Sequence, residues 1–278
     1  MTFKMKRRIG HAFIHLVLIF ITIVTVVPLL WMITTSLKTP DNVMRMPPQW
    51  IPNPITLDSY YKAFTVQPLM RSLINSLLIA LANVFGTLLF ASMAAFAFAK
   101  LRFRKKNLVF MVLLTSLMVP SQVSLIPMYV AYSKVGWVDT YLPLILPNVL
   151  MNAYGVFMIR QFMAGIPDAY MEAARIDGAG YGRIFAVIYL PLCKQILITL
   201  GLYNFINSWN NFLTPLVMLN STEKFTVSLL LSTYKVMYNI DWSLLMAAST
   251  VSVLPTMILF ILAQKHFVEG ITVAGVKG

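Results

Sequence analysis

Glu172-Ala173-Ala174-Arg175-Ile176-Asp177-Gly178, followed by Ile188 and by Leu190-Pro191-Leu192, is a polar, alanine-centred stretch lying between apolar runs. Such a stretch works outside lipid. Pro167 and Asp168 predict a helix start, because proline is tolerated in a first turn and an aspartate there can cap free N–H groups. Gly178 predicts the stop, since glycine takes left-handed dihedrals without steric cost. The helix between them, roughly two and a half turns, is too short to be stable alone and needs a partner surface. Tyr170, Ala173, Ala174 and Asp177 fall at i, i+3, i+4 and i+7 and share one face. The two alanines leave that face nearly flat, so another protein's groove can approach closely. Glu172 and Arg175 are spaced for an intrahelical pair.

Glu172-Ala173-Ala174, three residues, Gly178, nine residues, Ile188, one residue and Leu190-Pro191 together resemble the EAA loop of bacterial ABC importer permeases. All seven positions of the pattern match over twenty residues. The resemblance implies a cytoplasmic coupling loop over about 163–193 that docks into an ATPase subunit through Tyr170, Glu172, Ala173, Ala174, Asp177 and Gly178. It also implies the type I ABC importer permease fold, in its carbohydrate-uptake, binding-protein-dependent branch.

Composition agrees with a chain that lives in lipid. Hydrophobic residues make up 59% and charged residues 11%, and the mean hydropathy is +0.76. Those values place the chain among all-α polytopic membrane proteins rather than soluble domains. Its single cysteine, Cys193, excludes an internal disulfide framework and any cysteine metal cluster. His11 and His15 are four apart with no third ligand nearby, and read as interfacial residues.

Six apolar spans are predicted over about 12–34, 73–99, 108–132, 141–162, 194–219 and 243–264, in one membrane domain. The first follows Lys4, Lys6, Arg7 and Arg8 and is too long for a signal-peptide core. Ser36 to Arg71 is polar and proline-rich and reads as an external loop, as does Asn220 to Asp241. Ala91, Ala95 and Ala99 recur every four residues, a spacing that lets helices pack closely in lipid. Pro120 and Pro127 predict a bent third span beside a cavity or another subunit. With both termini inside, 15 of the 22 basic residues lie on the cytoplasmic side and 7 outside, an asymmetry that supports this topology. It also weakens a nucleic-acid reading of the net charge of +13, since no loop forms a continuous basic surface interleaved with aromatics.

Polar side chains within the spans mark a candidate pathway. Asn148 and Asn152 are four apart on one predicted face. Asn204, Asn207 and Asn211 fall at i, i+3 and i+7, with Trp209 beside them. Amides facing lipid would cost several kcal/mol, so these face protein or water. They suit sugar hydroxyls, and Trp209 the apolar face of a sugar ring, but the same amides can simply bond helices together.

Gly178, Gly180 and Gly182 lack the Gly-Lys-Ser/Thr ending of a phosphate loop. No zinc spacing, nucleophile elbow or acidic pair within a span is present, so the sequence reads as a transport subunit and not an enzyme. The resemblance implies a second permease subunit, an ABC ATPase dimer that binds ATP and Mg, an external solute-binding protein and a sugar-class solute, all at the bacterial cytoplasmic membrane. An ion-coupled secondary transporter is the alternative. Such carriers usually place ionisable groups within spans, and the predicted spans carry no acidic residue.

Overall fold

The computed structural model describes residues 3–234 and 241–275, with side chains for residues 11–234 and 241–264. All regular structure among them is helical. Four stretches are by themselves long and apolar enough to cross a membrane, namely His11–Ser36, Leu69–Lys100, Leu142–Ala164 and Trp242–Gln264. Counting each of two sharply bent helix pairs as one span raises the number to six.

The chain forms two compact units. One comprises Met1–Leu69 and Leu231–Leu254. It opens with α1 (Phe3–Ser36), whose side chains from His11 to Val26 are exposed, as an apolar helix in lipid or against another subunit would have them. The segment read as an external loop is folded, with α2 (Pro40–Val43) and α3 (Asp58–Thr65). Ser36 Oγ bonds Tyr60 OH at 2.7 Å and Thr56 N donates to Leu37 O at 3.0 Å. Lys38 is buried, its ammonium 4.1 Å from the centre of the Trp31 ring.

The other unit comprises Met70–Leu230 and Pro255–Gly278. Its backbone is α4 (Leu69–Lys100), an unbroken helix of 32 residues. Next come α5 (Lys106–Thr115), a 3-10 turn, α6 (Ser121–Lys134), α7 (Leu142–Leu150), α8 (Ala153–Ala164) and α9 (Ala169–Ile176). Then follow α10 (Tyr181–Ile184), a π-helix (Phe185–Tyr189), α11 (Leu190–Leu192), α12 (Lys194–Trp209), α13 (Leu213–Met218) and α14 (Val227–Thr233), with α15 (Trp242–Gly275) running on from the first unit.

Three predicted spans are broken, each for a local reason. The third bends by 99° between its halves at Pro120, as the proline predicts. The fourth breaks at Met151 and Asn152, where Asn152 Oδ1 accepts from Gly155 N at 2.7 Å and starts α8. The fifth does not run as one helix to Leu219. Pro215 has no N–H to give the carbonyl four residues back, and Asn211 Oδ1 accepts from Thr214 N at 3.3 Å to begin α13. The segment after Asn220 is likewise more than loop, because α14 buries Val227, Leu229 and Leu230. Residues 235–240 of that segment, and residues 276–278, lie outside the described residues.

Small residues bring the helices together as their spacing predicts. Ala91 and Ala95 are buried in a core shared with Phe96, Val156, Ile159 and Leu200. At Gly86 a β-carbon would stand 2.5 Å from a Val149 methyl, so glycine permits the close approach of α4 and α7. A second core gathers Ile79, Leu144, Met218, Leu219 and Leu229.

Polar side chains of α4 tie it to distant segments. Asn75 donates to Glu223 O and Phe225 O at 2.9 and 3.1 Å, and Ser76 Oγ accepts from Val227 N at 2.7 Å. Asn83 donates to Leu144 O and Ser208 Oγ, and Thr87 to Asn148 O. Near the Asn75 end, Asp139 stands at φ 59. Its carboxylate accepts from Asn220 N, Ser221 N, Ser221 Oγ and Lys224 Nζ at 2.6 to 3.0 Å. Those four donors hold its pKa well below the usual carboxylate range.

Candidate functional site

The EAA stretch folds as the short helix α9. Its end is a Schellman closure: Gly178 N donates to Arg175 O at 3.0 Å and Ala179 N to Ala174 O at 2.9 Å, with Gly178 at φ +77°. Its start differs from expectation. Asp168 makes no side-chain cap; its carboxylate instead takes the Lys100 ammonium at 2.6 Å, while Lys100 also donates to Ile166 O at 2.5 Å. Lys100 is 4% exposed and Asp168 67%, so a buried cation reaches from the end of α4 to the root of α9. That cation holds the Asp168 carboxyl below its ordinary pKa. The Glu172–Arg175 pair is not formed either, and the Arg175 guanidinium lies 5.5 Å from the Tyr181 ring.

Tyr170, Ala173, Ala174 and Asp177 share one face, as their spacing predicts, and with Ala169 and Ile188 they line an open groove of about 460 Å³. Ala174 is 9% exposed, while Glu172 and Gly178 are exposed on the rest of the turn. Three residues, Ala169, Ile188 and Ile176, were missing from the sequence-derived set. Ile188 borders the groove from the π-helix, a signal already present in the motif. Ile176, at the helix tip, is 86% exposed, which its apolar character alone does not reveal.

Basic side chains after α4 also close that helix. Lys106 Nζ donates to Ala99 O and Leu101 O, and Arg160 Nε to Phe98 O, so cations satisfy carbonyls at the end of the helix. The Arg160 guanidinium also lies 4.1 Å over the Phe110 ring.

Where the broken spans interrupt, a cavity of about 550 Å³ opens between α6, α7, α12 and α13. Gln122, Asn148, Asn207, Asn210, Asn211 and Thr214 bring polar groups to it, beside Tyr132 and Phe212. The six candidate pathway residues therefore separate. Asn148, Asn207 and Asn211 meet in the cavity. Asn152 does not share a face with Asn148, because the helix breaks between them; its Nδ2 donates to Asn204 Oδ1 at 3.2 Å. Asn204 is buried and donates to Leu200 O at 2.9 Å. Trp209 is 3% exposed and stacks on Phe205 at 5.6 Å. Gln122 and Asn210, which also border the cavity, were absent from the sequence-derived set, because sequence spacing gives no sign that residues of different spans converge.

Residues 87–273 match the family model described as binding-protein-dependent transport system inner membrane component. This chain belongs to that family. As a binding-protein-dependent transport component it is a multi-pass permease subunit of an ABC importer and not an enzyme, ATP being hydrolysed by a separate ATPase. It is similar to the arabinooligosaccharides transport system permease protein AraQ of Halalkalibacterium halodurans, 37% identical over 262 residues, covering 93% of this chain and 94% of the relative. It is 30% identical over 275 residues to the sn-glycerol-3-phosphate transport system permease protein UgpE of Brucella abortus, covering 96% and 97%. In fold it resembles a chain from the crystal structure of a bacterial ABC transporter involved in the import of the acidic polysaccharide alginate. The TM-score there is 0.85 at 22% identity, covering 94% of this chain and 98% of that one.

Proposed function

We propose that this permease imports a sugar or oligosaccharide across the bacterial cytoplasmic membrane, through six spans with both termini cytoplasmic. It works with a second permease subunit, an ATPase dimer that binds ATP and Mg²⁺, and an external solute-binding protein. The observation that carries the coupling role is α9: a helix of eight residues whose alanine face opens a groove and whose Glu172, Asp177 and Gly178 stand exposed. A helix this short is held by its surroundings, so what binds it can move it. Closure of the ATPase dimer on ATP displaces α9, and the spans switch between inward-open and outward-open states. Asn148, Asn207 and Asn211, which converge where three spans are interrupted, form this chain's side of the solute pathway, in keeping with solute sites built at helix breaks near mid-membrane.

Affinity copurification from the native membrane in mild detergent, with mass spectrometry of the companions, tests the assembly. An ATPase and a second permease are expected, and uptake by the reconstituted complex is expected to need ATP and to survive collapse of proton and sodium gradients. This chain recovered alone, and active in proteoliposomes without ATP, would overturn the proposal in favour of an ion-coupled carrier.

A further inference from the structure

Relatives of this chain serve both uncharged and anionic solutes, so the charge of its own solute is a real question. Resting on the permease reading above, we infer that this chain's side of the pathway is built for an uncharged, polyhydroxylated solute, and that Asn207 and Asn211 meet it.

The side chains bordering the cavity set the electrostatics. Gln122, Asn148, Asn207, Asn210, Asn211 and Thr214 are all neutral, and no Lys, Arg, His, Asp or Glu is among the lining residues. A phosphate or carboxylate drawn into this space would lose hydration with no counter-charge from this chain, and removing an unpaired ion from water is strongly unfavourable. A hydroxyl carries no such penalty.

Hydrogen-bonding capacity points the same way. Asn148 spends its Nδ2 on Leu144 O at 3.0 Å, which leaves its carbonyl oxygen as an acceptor. Asn211 spends its carbonyl oxygen on Thr214 N, which leaves its Nδ2 as a donor. Asn207 is exposed and makes no side-chain hydrogen bond among the described residues. The cavity thus offers acceptors and donors side by side. A hydroxyl uses both because it gives one hydrogen bond and takes others, whereas an anion uses donors alone and sets its charge against the acceptors.

The backbone adds no bias of one sign. Helix α6 begins at Ser121 and α12 ends at Trp209, and residues at both ends, Gln122 and Asn210, border the cavity. A helix N-terminus carries partial positive charge and a C-terminus partial negative charge, so the two offset each other. Tyr132 and Phe212 supply flat apolar surface, which suits the C–H face of a sugar ring.

The test reads charge preference without knowing the solute. Cys193 is the chain's one cysteine and is buried, so Asn207→Cys places a lone accessible thiol in the cavity. The complex with its partner permease and ATPase, in nanodiscs, is treated with methanethiosulfonates of matched size bearing a hydroxylated neutral group, a sulfonate or a trimethylammonium. Labelling of this chain is followed by intact mass, both nucleotide-free and ATP-bound, and each rate is divided by that reagent's rate with 2-mercaptoethanol. The wild type serves as the unlabelled control, and Asn211→Cys repeats the measurement at the end of α12. The neutral reagent is expected to react at least about tenfold faster than either charged one in one nucleotide state. A charged reagent that matches or exceeds it at both positions would overturn the inference, as would no labelling at either position in either state, which would make these amides helix-packing groups. Wild-type ATP hydrolysis that rises with the cognate binding protein would show, in either case, that the permease reading itself stands.

Discussion

At the scale of single residues, Gly178 separates conformation from docking. It lies at φ +77° with nothing within 4 Å of where a β-carbon would stand, so a substitution meets backbone strain but no clash within this chain. Asn and Asp visit left-handed dihedrals more readily than other non-glycine residues. Comparing Gly178→Asn with Gly178→Asp therefore isolates charge at the proposed docking surface. The expected result is normal insertion of both, most of wild-type uptake for Asn, and uptake reduced by about tenfold or more for Asp, the equivalent of roughly 1.4 kcal/mol of lost coupling. Full uptake by a normally expressed Gly178→Asp variant would remove α9 from the coupling path. The stop at Gly178 was legible because it is a local matter of one backbone angle. The role of Asp168 was not, since its partner Lys100 is 68 residues away and no local rule relates them.

At the scale of elements, that same pair joins α4 to α9. Asp168 is depressed in pKa by Lys100, so the pair is intact at neutral pH and loosens only as pH falls through the lowered value. Lys100 is the buried partner and Asp168 the exposed one, so Lys100→Met leaves a solvated carboxylate and removes the tie between the two helices. Lys100→Met is expected to lower uptake per ATP hydrolysed several-fold with binding-protein-stimulated hydrolysis largely kept. In Lys100→Asp combined with Asp168→Lys the ratio should recover in part, measured in proteoliposomes from paired uptake and phosphate-release rates. Equal ratios in all variants would mean the contact only holds the fold. Element boundaries were legible where proline or glycine dictates them, as at Pro120. They were misread at Asn152 and Asn211, because an asparagine in an apolar run looks like a polar spot on a continuous helix until its side chain is seen to accept from the first turn of a new one.

At the scale of the whole molecule, Asp139 joins the turn between α6 and α7 to the segment after α13, some 80 residues on. Its folded-state pKa lies below the roughly 3.9 of an unfolded aspartate. Its contribution is therefore complete above that value and is lost only as pH falls through the folded one. Hydrogen exchange of a peptide over residues 219–225, corrected for intrinsic rate, should stay slow down to about pH 4. In Asp139→Asn it should be about tenfold faster at neutral pH and show no further acid step. Wild-type-like protection in that variant would assign the ordering of the segment to Asn75 instead. Six hydrophobic runs and one short polar helix were readable from composition and periodicity, because burial in lipid imposes long apolar stretches. The cavity was not, because it depends on three helix interruptions arriving at one place.

Helix α4 meets each of these places in turn: Asn75 and Ser76 at the segment after α13, Asn83 and Thr87 at the helices bordering the cavity, and Lys100 at the root of α9. Its 32 residues make a bar about 48 Å long at 1.5 Å per residue. Pivoted at its middle, such a bar turns a tilt of about 5° into opposite displacements of roughly 2 Å at its two tips. A push on one tip is thus felt at the other with its direction reversed and its size unchanged, as on a seesaw.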